Sequence, residues 1–395
     1  MSDRDRWLLP EGIEEILPAE ASHLETVRRG LLDLFQRCGY ELVMPPMIEF
    51  LDSLLTGTGH DLDLQTFKLT DQLSGRMMGV RADMTPQAAR IDAHYLRREV
   101  PVRLCYVGTV LHTRPDEFAG SRELLQVGAE LFGHSGPESD MEIAGLMLSA
   151  LREAGLAEVH LDLGHVDVFR QLAAAARLEA GVEDDLFDAL QRKSRPEVDA
   201  LLGGCDIAAD ARRRLAGLVD LSGGEEVLEQ GRALLAGGPA AAGQALDALQ
   251  AVASSVRRDH PQVPVYFDLA ELRGYRYYTG VVFSAFVPGI GRAVAQGGRY
   301  DGIGRAFGRA RAATGFSTDL RLLSKLVSAV FRAHGILAPF PDSAELRQRI
   351  AGLRAAGERV VVHLPGSAAD AAALGCDRQL VTRDGQWTIV QVQHS

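Results

Sequence analysis

The chain has 395 residues, 46% of them hydrophobic and 24% charged, with a net charge of −11. That length holds two or three domains with a sizeable core, and the acidic total weighs against a protein devoted to gripping nucleic acid. Cys38, Cys105, Cys205 and Cys376 are scattered without a C-x-x-C pair, so neither a structural zinc site nor a disulfide framework is expected.

The opening MSDRDRWLLPEG has charges with no apolar core behind them. No run of about 18 apolar residues follows, so a membrane span is not expected and the cytoplasm is the expected location. From Ala21 to Cys38, Leu24, Val27, Leu31, Leu34 and Phe35 recur at helical spacing, and Gly39 supplies a stop. Tyr40–Met44 reads as a short strand halted by Pro45 and Pro46. Strands are predicted at 76–82 and 102–112 with a helix at 86–98 between them. A strand from Leu124 to Phe132 would turn Leu125, Val127, Ala129 and Leu131 to the core, and Gln126, Gly128 and Glu130 to the other face. A helix over 138–154 follows, then strands at 158–163, 263–270, 277–287 and 292–296.

Residues 165–258 are rich in Ala, Leu, Arg and Glu and poor in β-branched residues. They read as a helical insertion within an α+β domain whose sheet is largely antiparallel. A core over 1–325 is expected, followed by a linker and a small C-terminal α/β domain over 326–395. In that tail a helix at 344–355, a strand at 359–364, a short helix at 367–374 and a hairpin through Asp384-Gly385 are predicted.

Several polar groups fall among the strands. RADMTPQ (81–87) puts Asp83 and Thr85 ahead of a helix whose first residue is expected to be Pro86; a plain helix cap by Thr85 is the alternative reading. ELRGYRYYTGVVFSAF (271–286) brings Arg273, Tyr275, Tyr277 and Tyr278 to the edge of a strand. AQGGRYDGIG (295–304) is dense in glycine and allows close backbone approach. As a set these residues match the needs of a free amino acid. Asp83, Thr85 and Gln126 suit an ammonium, Arg273 a carboxylate, and Glu130 with a tyrosine hydroxyl suits an imidazole with its two ring nitrogens.

These segments, in this order, resemble the catalytic core of histidyl-tRNA synthetase, a class II aminoacyl-tRNA synthetase, from about Leu8 to Leu323. GYELVMPPMIE resembles its first motif, found at the dimer interface, and VRADMTPQ its RPEGT segment. YVGTVLHTRPDEFAGSRELLQVGAELFG resembles the second motif, ELRGYRYYTGVVF and AQGGRYDGI two histidine-specific signatures, and GFSTDLRLL the third motif. The resemblance implies a six-stranded antiparallel sheet flanked by helices. It also implies a histidine pocket of Asp83, Thr85, Gln126, Glu130, Arg273, Tyr277 and Tyr278.

The departures from that family concern ATP and tRNA. Where its second motif carries Arg-x-Glu for ATP, this chain has His112 and Arg114. Where its third motif carries a late Arg, this chain has Leu322, with Arg321 one residue early. Leucine supplies no guanidinium for a phosphate. The Glu of RPEGT is shortened to Asp83, the Asp before the paired tyrosines has become Arg276, and only about 55 residues stand in place of a full anticodon-binding domain. That pattern is similar to the HisZ family, the regulatory subunit of ATP phosphoribosyltransferase. The likeness implies a non-catalytic chain that activates a short-form catalytic subunit in the first step of histidine biosynthesis and carries feedback inhibition by histidine. It further implies a homodimer within a larger hetero-oligomer, with no cofactor, metal, nucleic acid or membrane. A divergent but active histidyl-tRNA synthetase is the alternative.

Overall fold

A computed structural model of the chain describes residues 7–57, 60–115, 120–271, 274, 277–327, 334–368 and 370–392. It falls into two units, Met1–Ser328 and Ala329–Ser395. The strands of the first unit are β1 (Glu41–Leu42), β2 (Ile48–Phe50), β3 (Phe67–Thr70), β4 (Met77–Val80), β5 (Val102–Leu111), β6 (Glu123–Phe132), β7 (His160–His165), β8 (Ser222–Gly223), β9 (Val265–Asp268), β10 (Val281–Phe286), β11 (Ala295–Arg299) and β12 (Ala313–Asp319). The main sheet has the order β1-β5-β6-β12-β11-β10-β7-β9-β8. Its middle six strands are antiparallel throughout, while β1 joins β5, and β9 joins β7, in parallel. The α+β class is the one the sequence implies.

Helix α1 (Pro18–Arg37) buries Leu24, Val27, Leu31 and Phe35 along one stripe. It ends as the sequence predicts: Gly39 takes φ +83°, and the N–H groups of Gly39 and Tyr40 return to the carbonyls of Gln36 and Phe35. With the helix Pro137–Glu153 and the helices of 166–259, α1 covers one face of the sheet, where Val127, Ala129 and Leu131 of β6 point. The other face carries a second, smaller core around Met84, Ala88, Leu104, Tyr106, Phe132, Tyr300 and Ile303. The candidate site lies on this second face.

Three expectations need correction. The predicted helix at 86–98 begins at Thr85 and stays α-helical only to Arg90; Ile91–Leu96 widen into a π-helix that ends at Arg97 with φ 48°. The buried Asp92 pairs there with Arg311 at 2.9 Å, an anchor that a local periodicity argument cannot see. The strand predicted at 40–44 shrinks to two residues, and the three-stranded sheet β2-β4-β3 was not expected.

The second unit holds β13 (Ile336–Ala338), β14 (Val360–Val362), β15 (Arg378–Arg383) and β16 (Gln386–Gln391), ordered β14-β13-β15-β16. The helix Ala344–Ala355 is capped by Ser343, and Asp384 and Gly385 turn the β15–β16 hairpin with positive φ. No helix forms among the described residues of 367–374, which run as bends and turns. That stretch is mostly alanine with no apolar face, and too short to hold a helix by propensity alone.

Candidate ligand site

Register builds the centre of the site. On β6, Glu130 stands opposite Leu104 of β5 on one side and Gly315 of β12 on the other, while Gly128 stands opposite Tyr106. Both glycines clear space. A Cβ at Gly315 would lie 1.5 Å from Oε2 of Glu130, and one at Gly128 would lie 2.6 Å from the Tyr106 hydroxyl. Tyr106 therefore lies across Gly128, and its hydroxyl donates to Oε1 of Glu130 at 2.8 Å. From the segment after β11, the Tyr300 hydroxyl donates to Oε2. Glu130 is only 1% exposed. Burial pushes its carboxyl up to about 8, against the pull of the Tyr300 and Tyr106 hydroxyls.

The start of the helix Thr85–Arg90 supplies the next group. Asp83 Oδ1 accepts the Thr85 N–H at 3.0 Å and the Gln126 side-chain amide at 2.7 Å, while Gln126 Oε1 accepts the Met84 N–H at 2.8 Å. Asp83, one residue before the N-cap Met84, thus binds the N–H of the first helical residue, and Thr85, itself that residue, does not cap the helix. Its hydroxyl lies 3.0 Å from that of Tyr106. One connected network therefore joins Asp83 and Gln126, through Thr85 and Tyr106, to Glu130 and Tyr300.

Tyr277 and Tyr278 close the same cluster. The Tyr277 ring stacks on Tyr300, with centroids 5.1 Å apart, and meets Tyr278 edge-on at 5.2 Å. The Tyr277 hydroxyl is buried with no hydrogen-bond partner among the described residues, and burial beside Glu130 raises its pKa well above the usual phenol value. Tyr278 lies between two glycines: a Cβ would come 2.7 Å from its ring at Gly274, where φ is +66°, and 3.0 Å at Gly298. Arg273, Tyr275 and Arg276 lie outside the described residues. Six of the seven predicted pocket residues are thus brought to one place. Tyr106 and Tyr300 were not among the predicted residues; their contacts with Glu130 arise from pairing and packing between segments distant in sequence, which left no local signal.

The positions matched to ATP in the synthetases have other occupations here. His112 contacts the Ala82 carbonyl through Nε2 at 2.9 Å, and Arg114 is exposed. Leu322 packs against the main core and lines a cleft of about 300 Å³ with Arg292, Asp319, Arg321 and Lys325. Arg321 is turned to Glu123 at 2.9 Å, and Lys325 lies 3.7 Å from Glu14. Two cations of this cleft, Arg321 and Lys325, thus face carboxylates of the chain itself. Among the described residues no group of three or more His, Cys, Asp and Glu is placed to hold a metal ion, and no helix is long and apolar enough to cross a membrane.

Known proteins match this arrangement along the whole chain. Residues 12–323 match the histidyl-tRNA synthetase family model, and residues 333–390 match the C-terminal domain of the ATP phosphoribosyltransferase subunit HisZ. An ATP phosphoribosyltransferase regulatory subunit of Thioalkalivibrio sulfidiphilus is 59% identical, covering 99% of this chain and 100% of the relative. One from Azotobacter vinelandii is 56% identical over 99% of both. Among solved structures, a Bacillus halodurans protein described as an ATP phosphoribosyltransferase regulatory subunit/histidyl-tRNA synthetase superposes with a TM-score of 0.81 at 28% identity, covering 93% of this chain and 95% of that one. A histidyl-tRNA synthetase from Nostoc sp. shares the fold, with a TM-score of 0.79 at 18% identity over 98% and 97% of the two chains. A histidyl-tRNA synthetase-like core followed by a HisZ-type tail, together with relatives 59% and 56% identical over nearly the whole chain, places this chain in the family of ATP phosphoribosyltransferase regulatory subunits.

Proposed function

We propose that the cluster around Glu130 is a receptor for free histidine, and that through it this chain confers histidine feedback on a short-form ATP phosphoribosyltransferase catalytic subunit that it also activates. The carrying observation is the single network that joins the Asp83–Gln126–Thr85 group to a buried carboxyl flanked by tyrosine hydroxyls. The first group suits the ammonium of an amino acid, and the second suits an imidazole. Arg273 is assigned to the ligand carboxylate. At the other end, Leu322 and the Glu123-bound Arg321 leave the phosphates of ATP without the guanidinium that adenylation needs. A receptor without chemistry is a sensor.

Feedback then requires that histidine bind the inhibited state of the complex more tightly than the active one. A typical coupling is about 1–3 kcal/mol, or roughly 5–150-fold in affinity. The side chains Leu42, Met44, Met47 and Ile48 are exposed around the first motif, with Met44 at 79%. That apolar patch supports a homodimer within the larger hetero-oligomer.

The test is co-purification with a short-form catalytic subunit, then a phosphoribosyltransferase assay with and without histidine. Wild-type chain should activate the catalytic subunit and confer inhibition, and Glu130→Ala should keep activation while losing most of the inhibition. Full inhibition with Glu130→Ala would show that the receptor lies elsewhere. Sustained histidine-dependent exchange between ATP and pyrophosphate by the chain alone would establish the rival reading, an active synthetase.

A further inference from the structure

We propose that the β16 edge of the second unit docks the same strand of a second copy of this chain, so that two four-stranded sheets join into one of eight. The proposal concerns assembly and stands apart from the ligand site.

Hairpin geometry fixes which way the edge points. Asp384 and Gly385 make a two-residue turn, so Arg383 and Gln386 close it as a hydrogen-bonded pair. Gln386, Thr388 and Val390 then aim their backbone groups at β15, and the Val392 N–H continues that ladder to the Asp377 carbonyl at 2.8 Å. Trp387, Ile389 and Gln391 aim theirs outward, where no further strand pairs among the described residues. Three N–H and three C=O groups therefore stand in a row. Natural sheets guard such an edge with charge, proline or brevity. β16 has six residues with neither charge nor proline, although β15 beside it carries Arg378 and Arg383.

The matching occupant is β16 itself. Among the described residues the other edge strands, β1, β2, β3, β8 and β14, hold only two to four residues each. An antiparallel pair centred on Ile389 sets Ile389 opposite its own copy, and Trp387 opposite the second copy's Gln391. These are hydrogen-bonded pairs, so all the outward backbone groups find partners, and no charged side chain opposes another. Thr388 and Val390 of the two copies meet in the closer pairs between them. The core supports the same register. Trp387 and Ile389 lie on the sheet face that packs with the helix Ala344–Ala355, yet both stay only partly buried at the margin of a small core around Ile336, Ile350 and Leu380. Pairing lays the second copy's Ile389 and Trp387 against that margin and joins two small cores into one.

Sedimentation velocity on the full-length chain over a range of concentrations tests this, with Gln391→Pro beside wild type. Proline there deletes an outward N–H and leaves the ladder to β15 intact. Thermal melts confirm that the variant is folded. Gln391→Pro should need at least about tenfold more chain than wild type for the same degree of self-association. A second variant supplies a positive signal. Thr388→Cys with Val390→Cys puts thiols within disulfide reach across the new pair. Mild oxidation should then yield a covalent dimer, which adding Gln391→Pro suppresses. Oxidised wild type controls for Cys38, the exposed native thiol. Equal self-association of Gln391→Pro and wild type, with no covalent dimer beyond the control, would overturn the proposal. So would a loss confined to co-purification with a short-form catalytic subunit, which would make the edge an interface with a different chain.

Discussion

Tyr300 and Glu130 are 170 positions apart in the chain, yet the tyrosine hydroxyl donates to a carboxylate oxygen that has almost no contact with water. The contact has a thermodynamic signature. Burial carries Glu130 from an ordinary 4.5 to about 8, so the folded chain holds a proton there that the unfolded chain gives up. A carboxyl raised in this way contributes stability in full below pH 4.5, and that contribution is lost as pH climbs toward 8. Glu130→Gln cannot titrate. Across that window wild type should lose stability relative to Glu130→Gln by on the order of a few kcal/mol. Denaturant melts at pH 5 and pH 8 measure it; an equal gap at both pH values would refute the buried-proton account.

Gly315→Ala tests the space that Glu130 occupies. The added methyl would fall 1.5 Å from Oε2, so either the carboxyl or strand β12 must move. Overpacking of this kind costs about 1–3 kcal/mol. Histidine binding should fall at least about tenfold as the carboxyl leaves its aligned position. Native stability together with unchanged histidine affinity would mean the strand yields freely and the fit is not critical.

Tyr278→Phe keeps the ring that Gly274 and Gly298 enclose and removes only the hydroxyl. Melting temperature should stay close to wild type. The histidine concentration for half-inhibition of the assembled complex should rise about fivefold or more, the scale of one lost hydrogen bond. Identical inhibition curves would remove Tyr278 from the pocket.

Asp140→Ala probes the scaffold behind Tyr300. Arg299 pairs with Asp140 at 2.9 Å, both nearly sealed from solvent, and also binds the Gly136 carbonyl and the Ser139 hydroxyl. Removing the acid takes away the more buried of the two carboxylates on Arg299 and leaves Asp301, 3.3 Å away, as its remaining acidic partner, so a loss of about 1–3 kcal/mol is expected. A drop of under about 1 kcal/mol, read from denaturant melts, would show that Asp301 alone satisfies Arg299 and that Asp140 is dispensable to the scaffold.

What the sequence made legible follows the range of the forces involved. Helix α1, the β15–β16 hairpin and the two faces of β6 depend on neighbours within a few residues, and they were read correctly. Asp83, Thr85, Gln126 and Glu130 were grouped on ligand chemistry, and Tyr277 and Tyr278 through the family resemblance; the structure brings all six into one cluster. Tyr106 and Tyr300 were in neither group, since Tyr106 reads as an ordinary β-former in its strand and Tyr300 as part of a glycine-dense turn. Tyr106 faces Gly128, and Tyr300 reaches Glu130, only after strands distant in sequence have paired. The π-helix at Ile91–Leu96 was hidden for a related reason: its anchor, Arg311, arrives from the far end of the core.

The strand order has a consequence for synthesis on the ribosome. β5 and β6 form a hairpin that can close as soon as both have emerged, but the neighbour of β6 in the finished sheet is β12, which follows the whole helical excursion. At typical elongation rates, roughly ten to thirty seconds separate Glu130 from Tyr300. Through that interval Glu130 lacks both the Tyr300 hydroxyl and the β12 strand that enclose it in the folded chain. The contact between Tyr300 and Glu130 can form only when β11 and β12 dock, and burial raises the Glu130 carboxyl only from that step on.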